Sequence, residues 1–272
     1  PNQPCLYKYE FDGLNKKLGG IRHSELLTIT GPTGGGKTTF VRQLASNLLN
    51  QGERVGFLGL EESNRRTALG LMSAALGKPF HLKEYEKEEL EDAYNKTIAN
   101  WNLYLFDGFG SFQCDLIYNR IEYLATGLDC KIIFLDHLSI LISGLKEVKD
   151  ERRLIDTVMT DLRSLVERTG ITLFLVSHLR RGSSDSKSAE EGGRVSLASL
   201  RGSHSVSQIS DSVITLEADS QKRDDGGNTT LRVLKNRYSG SVGVASTLDY
   251  NKETCKFEEV DIEPEFNPST DF

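Results

Sequence analysis

Residues 31–38 read Gly-Pro-Thr-Gly-Gly-Gly-Lys-Thr and satisfy the phosphate-loop pattern G-x-x-x-x-G-K-[ST] at every position. An apolar, β-branched run, 25–30, precedes the octet and reads as a strand; 39–45 follows and reads as a helix. That order is the context in which such a loop binds phosphate. Its glycines let the backbone wrap so that amide N–H groups point at an anion, and the helix N-terminus adds partial positive charge. Lys37 is placed to reach the β and γ phosphates, and the Thr38 hydroxyl to hold Mg²⁺. The expected nucleotide-binding set is Gly31, Pro32, Thr33, Gly34, Gly35, Gly36, Lys37, Thr38 and Thr39. A plain glycine-rich surface turn has no need of the full octet between a strand and a helix.

The rest of the 272 residues fits around that loop. Apolar strand runs near 54–60, 102–106, 131–135 and 171–176 alternate with helical stretches at 37–50, 64–76, 84–99, 113–126 and 151–169. Alternation of this kind predicts an α/β fold with a mainly parallel central sheet and helices on both faces. Three later β-like runs, 212–216, 229–235 and 242–249, are separated by turns rich in Gly, Asp and Asn, so antiparallel strands are expected there. Segments 142–150 and 180–201 read as loops. No apolar stretch approaches the roughly 18 residues that span a bilayer. The four cysteines are scattered, with no C-x-x-C pair, which argues against zinc and a disulfide framework and for a reducing compartment. Six of the 39 acids fall in residues 258–272, which hold no Lys or Arg. The remainder balances 33 basic against 33 acidic side chains, a neutral body with an acidic tail. The expected division is a residual linker over 1–20, a motor domain over 21–257 and a disordered acidic tail over 258–272. A chain starting at Pro1 reads as a piece of something longer.

Strand ends supply further candidates, because ligands of open α/β sheets bind at the carboxyl edge. Asp136 closes an apolar strand, as the acid that supports Mg²⁺ does in phosphate-loop enzymes. Glu61 follows another and is placed to orient or deprotonate a water; Glu61 and Glu62 read equally well as first-turn acids of the next helix. His178 closes a third strand, where a polar group can sense a γ-phosphate; a structural histidine fits as well. Lys235 and Arg237 alternate on a late strand and so share a face, suiting either phosphate charge or solvent. The polar 180–201 segment carries Arg180, Arg181, Lys187, Arg194 and Arg201, which fits a phosphodiester backbone or a solvated linker.

In combination these residues resemble the helicase half of the gene 4 primase-helicase of T-odd coliphages, with the replicative helicase DnaB and the mitochondrial helicase Twinkle as relatives. The resemblance runs from Phe11-Asp12-Gly13-Leu14-Asn15 through the phosphate loop, Leu60-Glu61-Glu62-Ser63, Leu135-Asp136-His137-Leu138-Ser139 and Ser177-His178-Leu179. It continues through Leu200-Arg201-Gly202-Ser203 and Gln208-Ile209-Ser210-Asp211 to Tyr250-Asn251-Lys252-Glu253-Thr254. It implies a RecA-like core forming a ring, usually of six subunits, on single-stranded DNA, moving 5′ to 3′ and unwinding duplex, with ATP or dTTP between neighbours.

By motif match, Lys37 and Thr38 serve phosphate and metal, and Asp136 supports the metal. Glu61 is the catalytic base, His178 the γ-phosphate sensor and Arg237 a finger inserted from the adjacent subunit. Tyr250 stacks on the base, Gln208 couples nucleotide to DNA, and Arg180, Arg181, Lys187 and Arg201 fall among the DNA contacts. The acidic tail with Phe272 matches a contact to the replicative polymerase. Ser207 and Ala218 stand where the phage proteins carry basic residues. The resemblance implies no priming from this chain, and a cytoplasmic setting, that of a host cell if the chain is phage-encoded, with a mitochondrion or other organelle left open. Two other readings share the core: a strand-exchange filament on DNA, and a clock-type or regulatory ATPase with no nucleic-acid partner.

Overall fold

A computed structural model describes residues 5–106, 114–143, 151–179, 193–200, 203–218 and 227–260. Nine strands are described: β1 (Leu26–Thr30), β2 (Val55–Gly59), β3 (Leu103–Leu105), β4 (Ile132–Asp136), β5 (Thr172–Val176), β6 (Ser212–Glu217), β7 (Thr229–Asn236), β8 (Gly243–Asn251) and β9 (Lys256–Val260). They form one sheet in the order β3-β2-β4-β5-β1-β6-β7-β8-β9. The first six are parallel, and β7, β8 and β9 add antiparallel pairs. The described helices are α1 (Asp12–Leu18), α2 (Lys37–Asn50), α3 (Asn64–Leu76), α4 (Lys87–Lys96), α5 (Cys114–Gly127), α6 (Leu138–Ser143), α7 (Glu151–Thr169) and α8 (Ser203–Ile209).

The sheet is covered on both faces, and the strand sequences show why. In β1, β2, β4 and β5 every residue is buried. Successive residues then serve opposite cores, since side chains alternate across a strand. Ile132 and Phe134 join the core that includes Phe40, Val41 and Leu44 of α2, while Ile133 and Leu135 join that of Leu154, Val158 and Leu162 of α7. Phe57, Phe134 and Phe174 lie in register on β2, β4 and β5 and stack at 5.7 and 4.6 Å between ring centroids. This ladder fixes the three strands whose ends carry Glu61, Asp136 and His178.

Both expected domain boundaries move outward. Phe11, Leu14 and Leu18 are buried in the α2-side core, so α1 belongs to the motor and not to a linker. A Cβ on Gly13 would meet the Ala245 carbonyl at 2.1 Å; only glycine lets α1 lie this close to β8. At the other end the sheet runs on through β9, past the expected boundary at 258. Glu259 accepts from the Asp12 and Gly13 amides at 2.8 and 2.9 Å, satisfying the exposed N–H groups of α1. The acid run is thus partly structural.

Local departures are smaller. The fourth helix is shorter than 84–99. Leu138–Ser143 is helical, and within 180–201 a 3₁₀ turn at Leu197–Ser199 leads to buried Leu200, which bridges to Leu179. Arg180, Arg181, Lys187, Arg201 and the tail with Phe272 lie outside the described residues.

Candidate active site

The phosphate loop joins β1 to α2. Gly31 has φ +153°, and a Cβ there would meet the Leu216 carbonyl at 2.6 Å. Gly36, with φ 86°, precedes α2 in the left-handed region. The Lys37 ammonium is buried and donates to the carbonyls of Gly31 and Pro32 at 2.9 and 2.7 Å. Burial pushes its pKa down to about 8, against the pull of Asp136 and Glu61.

A cleft of about 310 Å³ opens beside the loop. Its wall is Thr33, Gly34, Gly36, Lys37, Thr38 and Thr39 on one side, and Glu61, Asp136, His137 and His178 on the other. Each member of the second group follows or ends a parallel strand, as the edge rule requires. The Leu60 amide donates to the Asp136 carbonyl at 2.8 Å, pinning the end of β2 to that of β4 and carrying Glu61 into the cleft. Thr38 Oγ1 donates to Asp136 Oδ2 at 3.0 Å. Asp136 is buried, and loss of water raises its carboxyl pKa although His137 and Thr38 oppose the shift. A buried carboxylate beside a hydroxyl is an all-oxygen donor set, which fits Mg²⁺.

The two adjacent acids have separate fates. Glu62 is bound by Arg42, by the Thr67 hydroxyl at 2.9 Å and by Arg66 at 3.6 Å. Glu61 is half exposed and bonds His137. Both acids precede α3, which starts at Asn64 behind the Ser63 cap, so neither is a first-turn acid of that helix, and of the two Glu61 lines the cleft. His178 stands perpendicular to His137, with 4.1 Å between ring centroids.

Three expected residues lie elsewhere. Arg237 sits just past the end of β7, so it does not share the strand with Lys235, yet both converge on one carbonyl. Lys235 Nζ donates to Gln208 O at 2.9 Å and Arg237 Nη2 to the same atom at 2.6 Å. Arg237 Nη1 also donates to Asp211 Oδ1 at 3.0 Å, and Asp211 Oδ2 accepts from the Leu26 amide at 2.8 Å and from Arg163. Leu26 begins β1, whereas the phosphate loop follows its end. Five strand residues at about 3.3 Å each put Arg237 and Gln208 roughly 16 Å from the cleft. Tyr250 is on the loop's own edge: β8 pairs with β7 at Leu248–Thr229, beyond the β6–β7 pair Glu217–Thr230. Its ring packs 5.3 Å from Phe257, whose backbone is held by Gln43 of α2, but it does not line the cleft.

The profile described as the DnaB-like helicase C-terminal domain matches residues 8–259. The chain belongs to this family. It is 37% identical over 251 residues to the DNA helicase/primase of Enterobacteria phage T3, covering 89% of this chain and 44% of that protein. It is 24% identical over 267 residues to the replicative DNA helicase DnaC of Bacillus subtilis, covering 94% and 57%. The chain therefore spans about half the length of these relatives. Among solved structures, a DnaB-like replicative helicase described with its primase interactions superposes with a TM-score of 0.79 at 20% identity, covering 96% and 63%. A KaiC-like protein from Pyrococcus horikoshii OT3 gives 0.66 at 18%, covering 96% and 100%. These two likenesses show the RecA-like fold.

Within this DnaB-like domain, sequence reasoning gave no role to His137 or Asp211, although both lie in runs that carry the resemblance. The partners of Asp211, namely Leu26, Arg163 and Arg237, are remote along the chain, so only the fold shows what it joins.

Proposed function

We propose that this DnaB-like domain is the motor of a replicative DNA helicase. It hydrolyses ATP or dTTP, moves 5′ to 3′ on single-stranded DNA as a ring of six copies, and unwinds duplex by excluding the complementary strand. The observation that carries this reading is the separation of Arg237 from the cleft. The described cleft wall holds one cation, Lys37, while Arg237 is half exposed on the opposite edge of the same sheet. A closed ring of copies would set that edge against a neighbour's cleft.

Chemically, the loop amides and Lys37 would bind the phosphates. Mg²⁺ held by Thr38 and Asp136 would neutralise phosphate charge. Glu61 would align and deprotonate the attacking water, and His178 would register the γ-phosphate. Arg237 of the next copy would face the charge that develops on the transferred group, a contribution of about 10³–10⁵ in rate. Tyr250, on the loop's edge, suits stacking on the nucleotide base. The Gln208 carbonyl binds both Lys235 and Arg237, which supports a role in linking nucleotide state to DNA. Arg180, Arg181, Lys187 and Arg201 would grip the DNA backbone, with affinity that falls as salt rises. The acids beyond Val260 and terminal Phe272 would contact the replicative polymerase, in the reducing cytoplasm that four free cysteines suit. Among the described residues no helix is long and apolar enough to cross a membrane.

Strand displacement on a forked substrate, with each nucleotide in turn, tests the proposal. Unwinding from a 5′ tail, with hydrolysis stimulated by single-stranded DNA, is the expected result. Helical filaments without unwinding, or turnover indifferent to DNA, would replace it.

A further inference from the structure

His137 is not among the residues that a phosphate-loop ATPase needs, yet it is buried in the cleft wall. It follows Asp136 and immediately precedes α6. Its Nδ1 accepts from the Ser139 amide at 3.2 Å, taking up a donor that the first turn of a helix leaves unpaired. A lone pair at Nδ1 places the ring proton on Nε2 in the neutral ring. Nε2 faces Glu61 Oε1, so His137 donates to it. Among the described residues Glu61 has no other hydrogen-bond partner, and its side chain is 55% exposed. A glutamate so exposed is otherwise free to sample many rotamers.

We propose that His137 is a positioning residue: anchored at Nδ1 by Ser139, it holds one Glu61 oxygen and leaves the other to meet water. The inference rests on Glu61 being the base. A rival use exists, because Glu61, His137 and His178 offer ligand atoms within 4.8 Å of one another, a donor set that suits Zn²⁺. Coordination through His137 Nε2 needs the lone pair there, which moves the proton to Nδ1 and sets it against the Ser139 N–H. The backbone contact therefore favours a hydrogen-bond donor over a metal ligand.

Two substitutions divide the roles of the ring. His137→Gln keeps a donor at the reach of Nε2; His137→Asn can keep an acceptor near Nδ1 but has no donor at the reach of Nε2. DNA-stimulated hydrolysis and thermal midpoint are measured for both, beside Glu61→Ala. With Asn, kcat should fall about 10- to 100-fold, as losing an orienting partner costs. The nucleotide KM and the melting temperature should stay at their wild-type values. With Gln, kcat should return to near the wild-type value. If the Asn variant fails to fold, the Gln variant decides alone: high kcat upholds the proposal, and a folded Gln variant as slow as Glu61→Ala overturns it. Wild-type kcat in His137→Asn while Glu61→Ala is inactive overturns the role of His137 only. Wild-type kcat in Glu61→Ala overturns the base itself. Inhibition by micromolar Zn²⁺ that His137→Asn abolishes assigns the ring to a metal and overturns the donor role.

Discussion

At the phosphate-loop edge of the sheet, Lys37 turns its ammonium to two carbonyls of its own loop, and the facing wall is carboxylate and imidazole. At the opposite edge the pairing is reversed. Lys235 donates to the carbonyls of Ser207, Gln208 and Ser210, while Arg237 and Arg163 share Asp211. Among the described residues the cleft wall holds acids, a general-base candidate and one cation, Lys37, whereas at the other edge Lys235, Arg237 and Arg163 gather beside Asp211, Arg163 also binding Glu167. Neither is a complete phosphoryl-transfer site. Roughly 16 Å of strand lies between them, and the proposed function joins the two edges between copies.

The comparison breaks most visibly in hydrolysis. Lys37→Ala and Arg237→Ala should each lower DNA-stimulated turnover by about 10³-fold or more. They should differ in binding: nucleotide affinity collapses with Lys37 and survives with Arg237, as equilibrium titration of a fluorescent nucleotide will show. Equal loss of binding in both variants would place Arg237 inside its own cleft.

The adjacent acids offer the next largest effect. Glu62→Ala strips the partner from Arg42, which is buried, and should cost about 3–5 kcal/mol of stability by chemical denaturation. Glu61→Ala should leave stability nearly unchanged while abolishing turnover. A stable Glu62→Ala protein would mean that the two acids are not divided as described. Glu259→Ala, which uncaps α1, should cost about 1 kcal/mol.

The smallest effect is in pH. Lys37 is held down to about 8 from an ordinary 10.5, so the folded chain sheds this proton before the unfolded chain does. The unfolded state therefore binds more protons between these values, and the stability contributed by this group rises with pH there. Nucleotide needs the ammonium, so affinity should hold below pH 8 and then weaken, by at most about tenfold per unit. Affinity unchanged to pH 9.5 would contradict the buried setting of Lys37.

Much of this edge was legible in the chain itself. The octet names its chemistry, and Glu61, Asp136 and His178 each follow an apolar strand run, so a parallel sheet must bring them to one edge. The opposite edge was not legible without the family likeness. Lys235 and Arg237 read as any alternating pair, because Asp211 and the α8 carbonyls that gather them are set by tertiary packing. Composition misled at the C-terminus, where Glu258 and Glu259 look like the start of a solvated tail yet lie in a strand, and Glu259 caps a helix some 250 residues earlier. The N-terminal segment misled for the complementary reason: Tyr9, Phe11, Leu14 and Leu18 join a core whose other members lie far along the sequence.

Mixing inactive subunits tests the shared site most directly. Arg237→Ala copies keep an intact cleft but present no finger, and Glu61→Ala copies do the reverse. Hydrolysis by mixed rings, measured across mixing ratios with mixed assembly verified, should recover at intermediate ratios, because some clefts then pair a wild-type Glu61 with a wild-type Arg237 from the neighbour. Turnover that stays at the background of the two parents at every ratio would contradict a site built between copies.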